Sequence, residues 1–270
     1  RRTLDDKNPD GWIPEQKITV QQALEGYTRN AAYASFDENI KSGLAKANDS
    51  GKDVVILSNS VISPTTKMAI GEFSEKFSAK HVVYDAVSYN GIRKANENSF
   101  GKSVIPTYNF TKAKTIVSIA ADFMGNWLMH NDYVKGYVQN RKPDNDFMSR
   151  HFQFESILSL SGANADVREL IKPSQEGLVA ASIYKQLSKI SGLGSTLSVN
   201  IPAEIDSITA QAAKELWKNK GAALVVAGAN DVATQMVVNA INELLGSYSS
   251  TIDLENPYST FQGNDEAMDK

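Results

Sequence analysis

Short β-branched runs alternate along this chain with longer stretches whose apolar residues recur every three or four positions. That alternation restricts the fold more than any other feature. "DVVILS" (53–58), "HVVYDAV" (81–87), "TIVSIAADF" (115–123), "FMSRHFQFES" (147–156) and "AALVVAGAN" (222–230) read as strands. Between and after them, "SPTTKMAIGEFSEKF" (63–77), "WLMHNDYVKGYVQNR" (127–141), residues 174–190, "SITAQAAKELWKNKG" (207–221) and "DVATQMVVNAINELLG" (231–246) read as helices. Ser63 before Pro64 is a good helix start, and Gly221 and Gly246 are good stops. Strand, loop and helix in repeated succession predict a parallel sheet with helices on its faces, a Rossmann-like three-layer α/β fold.

The remaining segments complete the reading. Residues 42–52, 88–110 and most of 197–205 read as loops, and the tail from Ser247 reads as polar and frayed. The first 45 residues stand apart: Thr19 with Gln22 has capping-box spacing ahead of a helix predicted over 19–35. This gives two segments, a helical one over 1–45 and an α/β domain over 46–270. The charged opening "RRTLDDKNPDGW" carries no apolar signal region and reads as cut from something longer.

Composition removes several functions. With 41% apolar residues the chain can bury a core. A net charge of −3 and no basic stripe leave nucleic-acid binding without electrostatic support. The absence of cysteine excludes disulfides, thiolate zinc and Cys-ligated clusters within these residues. No run approaches the ~20 apolar residues of a membrane span. His81, His130 and His151 stand far apart and outside any metal-binding motif, and no P-loop, G-x-G-x-x-G or G-x-S-x-G occurs. No catalytic or metal-ligating residue is therefore assigned.

In parallel sheets, ligands bind at the carboxyl ends of the strands. Three such ends are small and polar here: Ser58–Ser60, Asp122 to Asn126, and Gly228–Asn230. Tight turns favour the same residues for their own geometry. The stretch "SLSGANADVRELIKPSQEGLVAASIY" (159–184) is the most decorated loop, leading straight into a helix. Within it Asp166 and Arg168 either pair across the loop, or Arg168 grips an anionic group.

From about Val54 onward these residues resemble the molybdopterin-oxidoreductase superfamily. "TIVSIAADFMGNW" has the form of its strand-end loop, and "ADVRELIKPSQEGLVAAS" that of its Asp-x-Arg…Pro-Gly-Thr-Asp loop. Asp166, Arg168, Ile171, Pro173 and Gly177 keep the frame, while Ser174-Gln175-Glu176 replaces Gly-Thr-Asp. The resemblance implies a vestigial pterin-dinucleotide loop made of Asp122, Asn126, Asp166, Arg168, Ser174 and Glu176. "VISPTTKMAIGEF", "DFMGNW", "MSRHFQFES" and the 159–177 loop are most similar to the large iron–sulfur subunit of alternative complex III. In that subunit a molybdopterin-oxidoreductase-like half is understood to hold no cofactor. The likeness implies a non-catalytic scaffold with no cofactor, bound to iron–sulfur and haem subunits of a membrane quinol oxidoreductase, on the periplasmic face. The alternative is an oxidoreductase fragment that keeps molybdopterin guanine dinucleotide. Residues 1 to about 45, through "ITVQQALEGYTRNAAYASFDENIKSG", resemble instead the C-terminal part of YtcJ-type metal-dependent amidohydrolases, whose metal ligands lie upstream of that part. Two partial likenesses meeting in one chain imply a chimera.

Overall fold

The computed structural model describes residues 50–194 and 197–268, and before them only Thr19, Gln21, Gln22, Gly43, Lys46 and Ala47. The chain divides into two compact units, residues 1–57 with 63–82, and residues 58–62 with 83–270. Most of the helix predicted over 19–35 lies outside the described residues. Its capping box is present, however. The Thr19 hydroxyl accepts from Gln22 N–H at 3.1 Å, and the Gln22 side chain accepts from Thr19 N–H at 2.8 Å. The loop predicted over 42–52 is not all loop, because Gly43, Lys46 and Ala47 are helical.

Strand β1 (Val55–Ser58), helix α1 (Pro64–Phe77) and strand β2 (Lys80–Val83) follow one another and, but for Ser58 and Val83, belong to the first unit. The Lys80 and Tyr84 N–H groups donate to the Val54 and Ser58 carbonyls, so the strands run parallel. As the sequence predicts, Ser63 caps α1 by accepting from Thr66 N–H, with Pro64 in the first turn.

The second unit opens with a correction. Residues 88–110, expected to be a loop, contain helix α2 (Asn90–Phe100) and strand β3 (Ile105–Tyr108). The helix looked polar because its buried face is Gly91, Ile92, Ala95 and Asn96, with a single large aliphatic. Asn96 satisfies itself in the interior, donating to the Val104 carbonyl and accepting from Asn239. There follow β4 (Thr115–Ile119), α3 (His130–Gln139), β5 (Arg150–Glu155), the short helix α4 (Leu160–Ala163), β6 (Val167–Leu170), α5 (Glu176–Ser191), α6 (Ala203–Lys218), β7 (Ala223–Ala227), α7 (Val232–Leu244) and β8 (Ile252–Tyr258). The decorated stretch thus holds a helix and a strand where loop is expected over 159–173, and the helix expected from 174 opens with a 3-10 turn (Pro173–Gln175). Helix α6 is capped at Asn219, and Gly221 follows in the left-handed region with φ +85°. The tail is not frayed either: β8 pairs antiparallel with β3, Tyr108 opposite Ile252 and Thr107 opposite Asp253.

Strands β6, β5, β4 and β7 form, in that order, a parallel four-stranded sheet. Alternate residues of β4 face opposite cores. Val117 and Ile119 join Phe152, Phe154, Val225 and the buried faces of α5, α6 and α7. Ile116 joins Leu224, Val226, Phe110, Phe123, Trp127, Tyr133 and Tyr137 on the other side. The sheet is covered on both faces, which is why β4, β7 and all of β5 but Arg150 are buried, while the edge strand β6 is partly exposed. The α/β class, the parallel sheet and the three layers agree with the sequence reading. No helix among the described residues is long and apolar enough to cross a membrane.

Candidate functional site

The strand order places β5 and β6 on one side of β4 and β7 on the other. Helix α3 leaves β4 over one face, and α7 leaves β7 over the opposite face. The carboxyl ends of β4 and β7 therefore bound the crevice where doubly wound sheets bind ligands. Its walls are loops 120–126 and 228–231, two of the three small polar strand ends singled out from sequence. At its floor the loops touch: Gly228 N–H donates to Ile119 C=O at 2.8 Å, and a Cβ on Gly228 would overlap the Ala120 carbonyl. Ala120 is held at φ 53°, a left-handed conformation unfavourable for alanine. The crevice itself is occupied by the start of α2. Gly91 N–H donates to Asn230 Oδ1 at 2.7 Å, and a Cβ on Gly91 would stand 2.7 Å from the Asn230 carbonyl carbon. Tyr89 Oη accepts from Leu128 N–H at 3.3 Å.

Beside the crevice, two carboxylates at the ends of β4 and β5 clamp the short helix α4. Asp122 Oδ1 accepts from Ser161 N–H at 2.9 Å and from the Ser161 hydroxyl at 2.8 Å, and that hydroxyl in turn accepts from Met124 N–H. Glu155 accepts from Ser159 N–H at 3.2 Å and from the Ser159 hydroxyl at 2.5 Å, from Gln153 at 3.1 Å, and from Arg168 Nε at 2.6 Å. Burial pushes the Glu155 carboxyl up, but the Ser159 and Arg168 bonds outweigh it, so its pKa lies below the usual carboxylate range. Glycine is required opposite both groups. A Cβ on Gly125 would overlap the Asp122 carboxylate, and one on Gly162 would overlap that of Glu155.

The structure brings together only some of the residues assigned from sequence. Asp122 and Asn126 lie in the β4 loop, where the Asp122 carbonyl receives the N–H of Gly125, Asn126 and Trp127. Arg168 turns back to Glu155, so of the two readings of Arg168 the ion pair is the one formed, though with Glu155 in place of Asp166. Asp166 lies at the opposite, amino-terminal edge of the sheet. There it pairs bidentately with Arg141 at 2.7 and 3.0 Å and accepts from His151 N–H at 2.7 Å. Ser174 and Glu176 line a separate cavity of about 590 Å³ between the N-termini of α5 and α7, with Gly177, Leu178, Asp231 and Thr234. Burial there raises the Glu176 pKa.

Sequence reasoning missed a buried polar ladder along β5. His151 Nδ1 lies 3.3 Å from Tyr137 Oη, His151 Nε2 lies 3.0 Å from Gln153 Oε1, and Gln153 reaches Glu155. The signal was the strict alternation "RHFQFE", which reads as one wet face and one dry. Both faces are dry, and the polar one closes on itself. Burial drives the His151 imidazole down to about 4, against the Gln153 bond that favours its charged form. Among the described residues no group of His, Cys, Asp and Glu is arranged to hold a metal ion.

No family model and no curated protein matches the chain. Among solved structures it is similar to a chain of the formyltransferase/hydrolase complex FhcABCD from Methylorubrum extorquens in complex with methylofuran. The identity is 12% and the TM-score 0.49, over 76% of this chain and 54% of that one. The chain thus spans about half the length of that neighbour.

Proposed function

We propose that the chain is a non-catalytic scaffold: a molybdopterin-oxidoreductase-like α/β domain that holds no cofactor. It packs against iron–sulfur and haem subunits of a membrane-associated quinol oxidoreductase on the periplasmic face. One observation carries the reading. The backbone N–H groups of Ser159 and Ser161, offered at the sheet's carboxyl edge where a ligand's anionic groups would dock, are taken by the protein's own Glu155 and Asp122. A pterin dinucleotide would have to displace two bound carboxylates, and its pyrophosphate would then lie beside them. Arg168, the cation that resembles an anion-gripping residue, is neutralised by Glu155. The residues present do not fit the group, and no reaction step is assigned to it. Residues 1–45, with their likeness to an amidohydrolase tail, contribute no catalytic group to this reading.

The cavity at Ser174 and Glu176 favours the second reading, an oxidoreductase fragment that keeps molybdopterin guanine dinucleotide. It is large enough for a purine, and Glu176 on its wall is a carboxylate that could accept from the N–H groups of a base. The two readings separate in a thermal melt with saturating guanosine monophosphate. A ligand specific for the native state must raise the melting temperature. The scaffold reading expects no shift. A shift abolished by Glu176→Ala would overturn it in favour of the second.

A further inference from the structure

Beyond β8 the chain passes back over the carboxyl edge of the sheet and is stitched down residue by residue. Gln262 N–H donates to the Ser60 hydroxyl, Gly263 N–H to Asp85 Oδ2 at 2.8 Å, and Asn264 N–H to the Val83 carbonyl at 3.0 Å. Arg93 donates to the Gly263 carbonyl at 2.8 Å. Asp265 Oδ2 accepts from the Ser88 hydroxyl at 2.8 Å and the Asn230 amide at 3.2 Å. The Phe261 ring meets Tyr89 edge-on at 4.7 Å. The slot is built for this segment. Asp85, 7% exposed, also accepts from Ser60 N–H and its hydroxyl, and a Cβ on Gly263 would stand 2.8 Å from the Asp85 nitrogen.

Three of these contacts fall on the residues that fill the crevice or wall it: Ser88, Tyr89 and Asn230. We propose that Phe261–Asp265 is a strap that keeps the crevice shut by pinning Ser88–Gly91 inside it. Strap and plug leave together, in one local opening that uncovers loops 120–126 and 228–231. The inference does not depend on the scaffold reading. A segment held mainly by rim hydrogen bonds, with Phe261 as its one large apolar anchor, opens at a free energy below that of global unfolding. Asp265 Oδ1 adds a push. It is buried and has no partner among the described residues, and opening returns it to water.

Hydrogen exchange read by mass spectrometry on the full chain tests this. Asp265→Ala and Phe261→Ala are compared with wild type, with Asp253→Ala on β8 as the control. In both strap variants the amides of 88–93 and 228–231 are expected to exchange roughly tenfold faster, the effect of losing one or two net hydrogen bonds. Amides of β4 and β5 should stay as in wild type, and the control, which frees the Glu255 and Asn256 amides, should leave 88–93 and 228–231 unchanged. Faster exchange confined to 261–265, acceleration of all amides together, or no acceleration would each overturn the proposal. Phe261→Leu, which keeps an apolar anchor, covers the case in which an alanine variant fails to fold; it should show the same pattern in smaller degree. Because the readout is backbone exchange and not ligand binding, its failure is distinct from failure of the scaffold reading.

Discussion

Gly162→Ala is the substitution whose outcome follows most directly from the geometry at the carboxyl edge. Gly162 lies inside α4, where alanine is intrinsically favoured over glycine by ~1 kcal/mol. Without its neighbours the change would stabilise. A Cβ at this position, however, overlaps the Glu155 carboxylate. Glu155 is 3% exposed and cannot move outward without leaving Arg168, Ser159 and Gln153. Breaking a buried, hydrogen-bonded ion pair costs about 3–5 kcal/mol. Subtracting the helical gain leaves a net loss of about 2–4 kcal/mol, or roughly 4–16 °C in melting temperature for a domain of this size. Urea unfolding followed by circular dichroism measures the loss, and a double-mutant cycle identifies its source. In a Glu155→Ala background the collision partner is gone, so Gly162→Ala should be neutral or stabilising by up to ~1 kcal/mol. Wild-type stability for the single variant, or the same loss in both backgrounds, would refute the clamp.

Three further outcomes follow. His151 has a folded pKa of about 4, below the ~6.5 of the unfolded chain, so the unfolded state takes up its proton first as the solution is acidified. Stability should fall by ~3 kcal/mol as pH drops from about 6.5 to about 4 and then level for this group. His151→Gln should abolish that part of a pH series of urea unfolding curves. Asp85 and Asp166 have lowered folded pKa values, so their contributions are full above the ordinary aspartate range and are lost only as pH falls below it. The protection of the Gly263 amide, taken relative to its intrinsic exchange rate at each pH, should therefore be lost only below the ordinary aspartate range and be intact at pH 6. Asp231 caps α7 through Thr234 N–H at 2.8 Å and the Thr234 hydroxyl at 2.7 Å, so Asp231→Ala should lower stability by ~1 kcal/mol in thermal melts.

The sheet was legible because its strands and helices carry clean periodicity: Val117 and Ile119 alternate with Ile116, and the α5, α6 and α7 stripes repeat at helical spacing. Local caps at Thr19 and Ser63 were legible for the same reason, since each is decided within four residues. What escaped depends on distant partners. Helix α2 hides behind polar residues because Asn96 pairs with Asn239, 143 positions away. Strand β8 looks like a polar tail because its ladder partner, β3, lies far upstream. Residues of one loop were assigned to one site, but β6 runs through that loop and carries Asp166 and Glu176 to opposite edges of the sheet. The β5 ladder was invisible because alternation cannot say whether the polar face is wet.

The central claim, that the domain is a scaffold holding no pterin cofactor, is tested most directly by the molybdenum content of the chain isolated with its partners from its natural source, measured by plasma mass spectrometry against protein concentration. The account predicts molybdenum at background in preparations that retain the iron–sulfur and haem subunits. One molybdenum per chain, retained through purification, would contradict it.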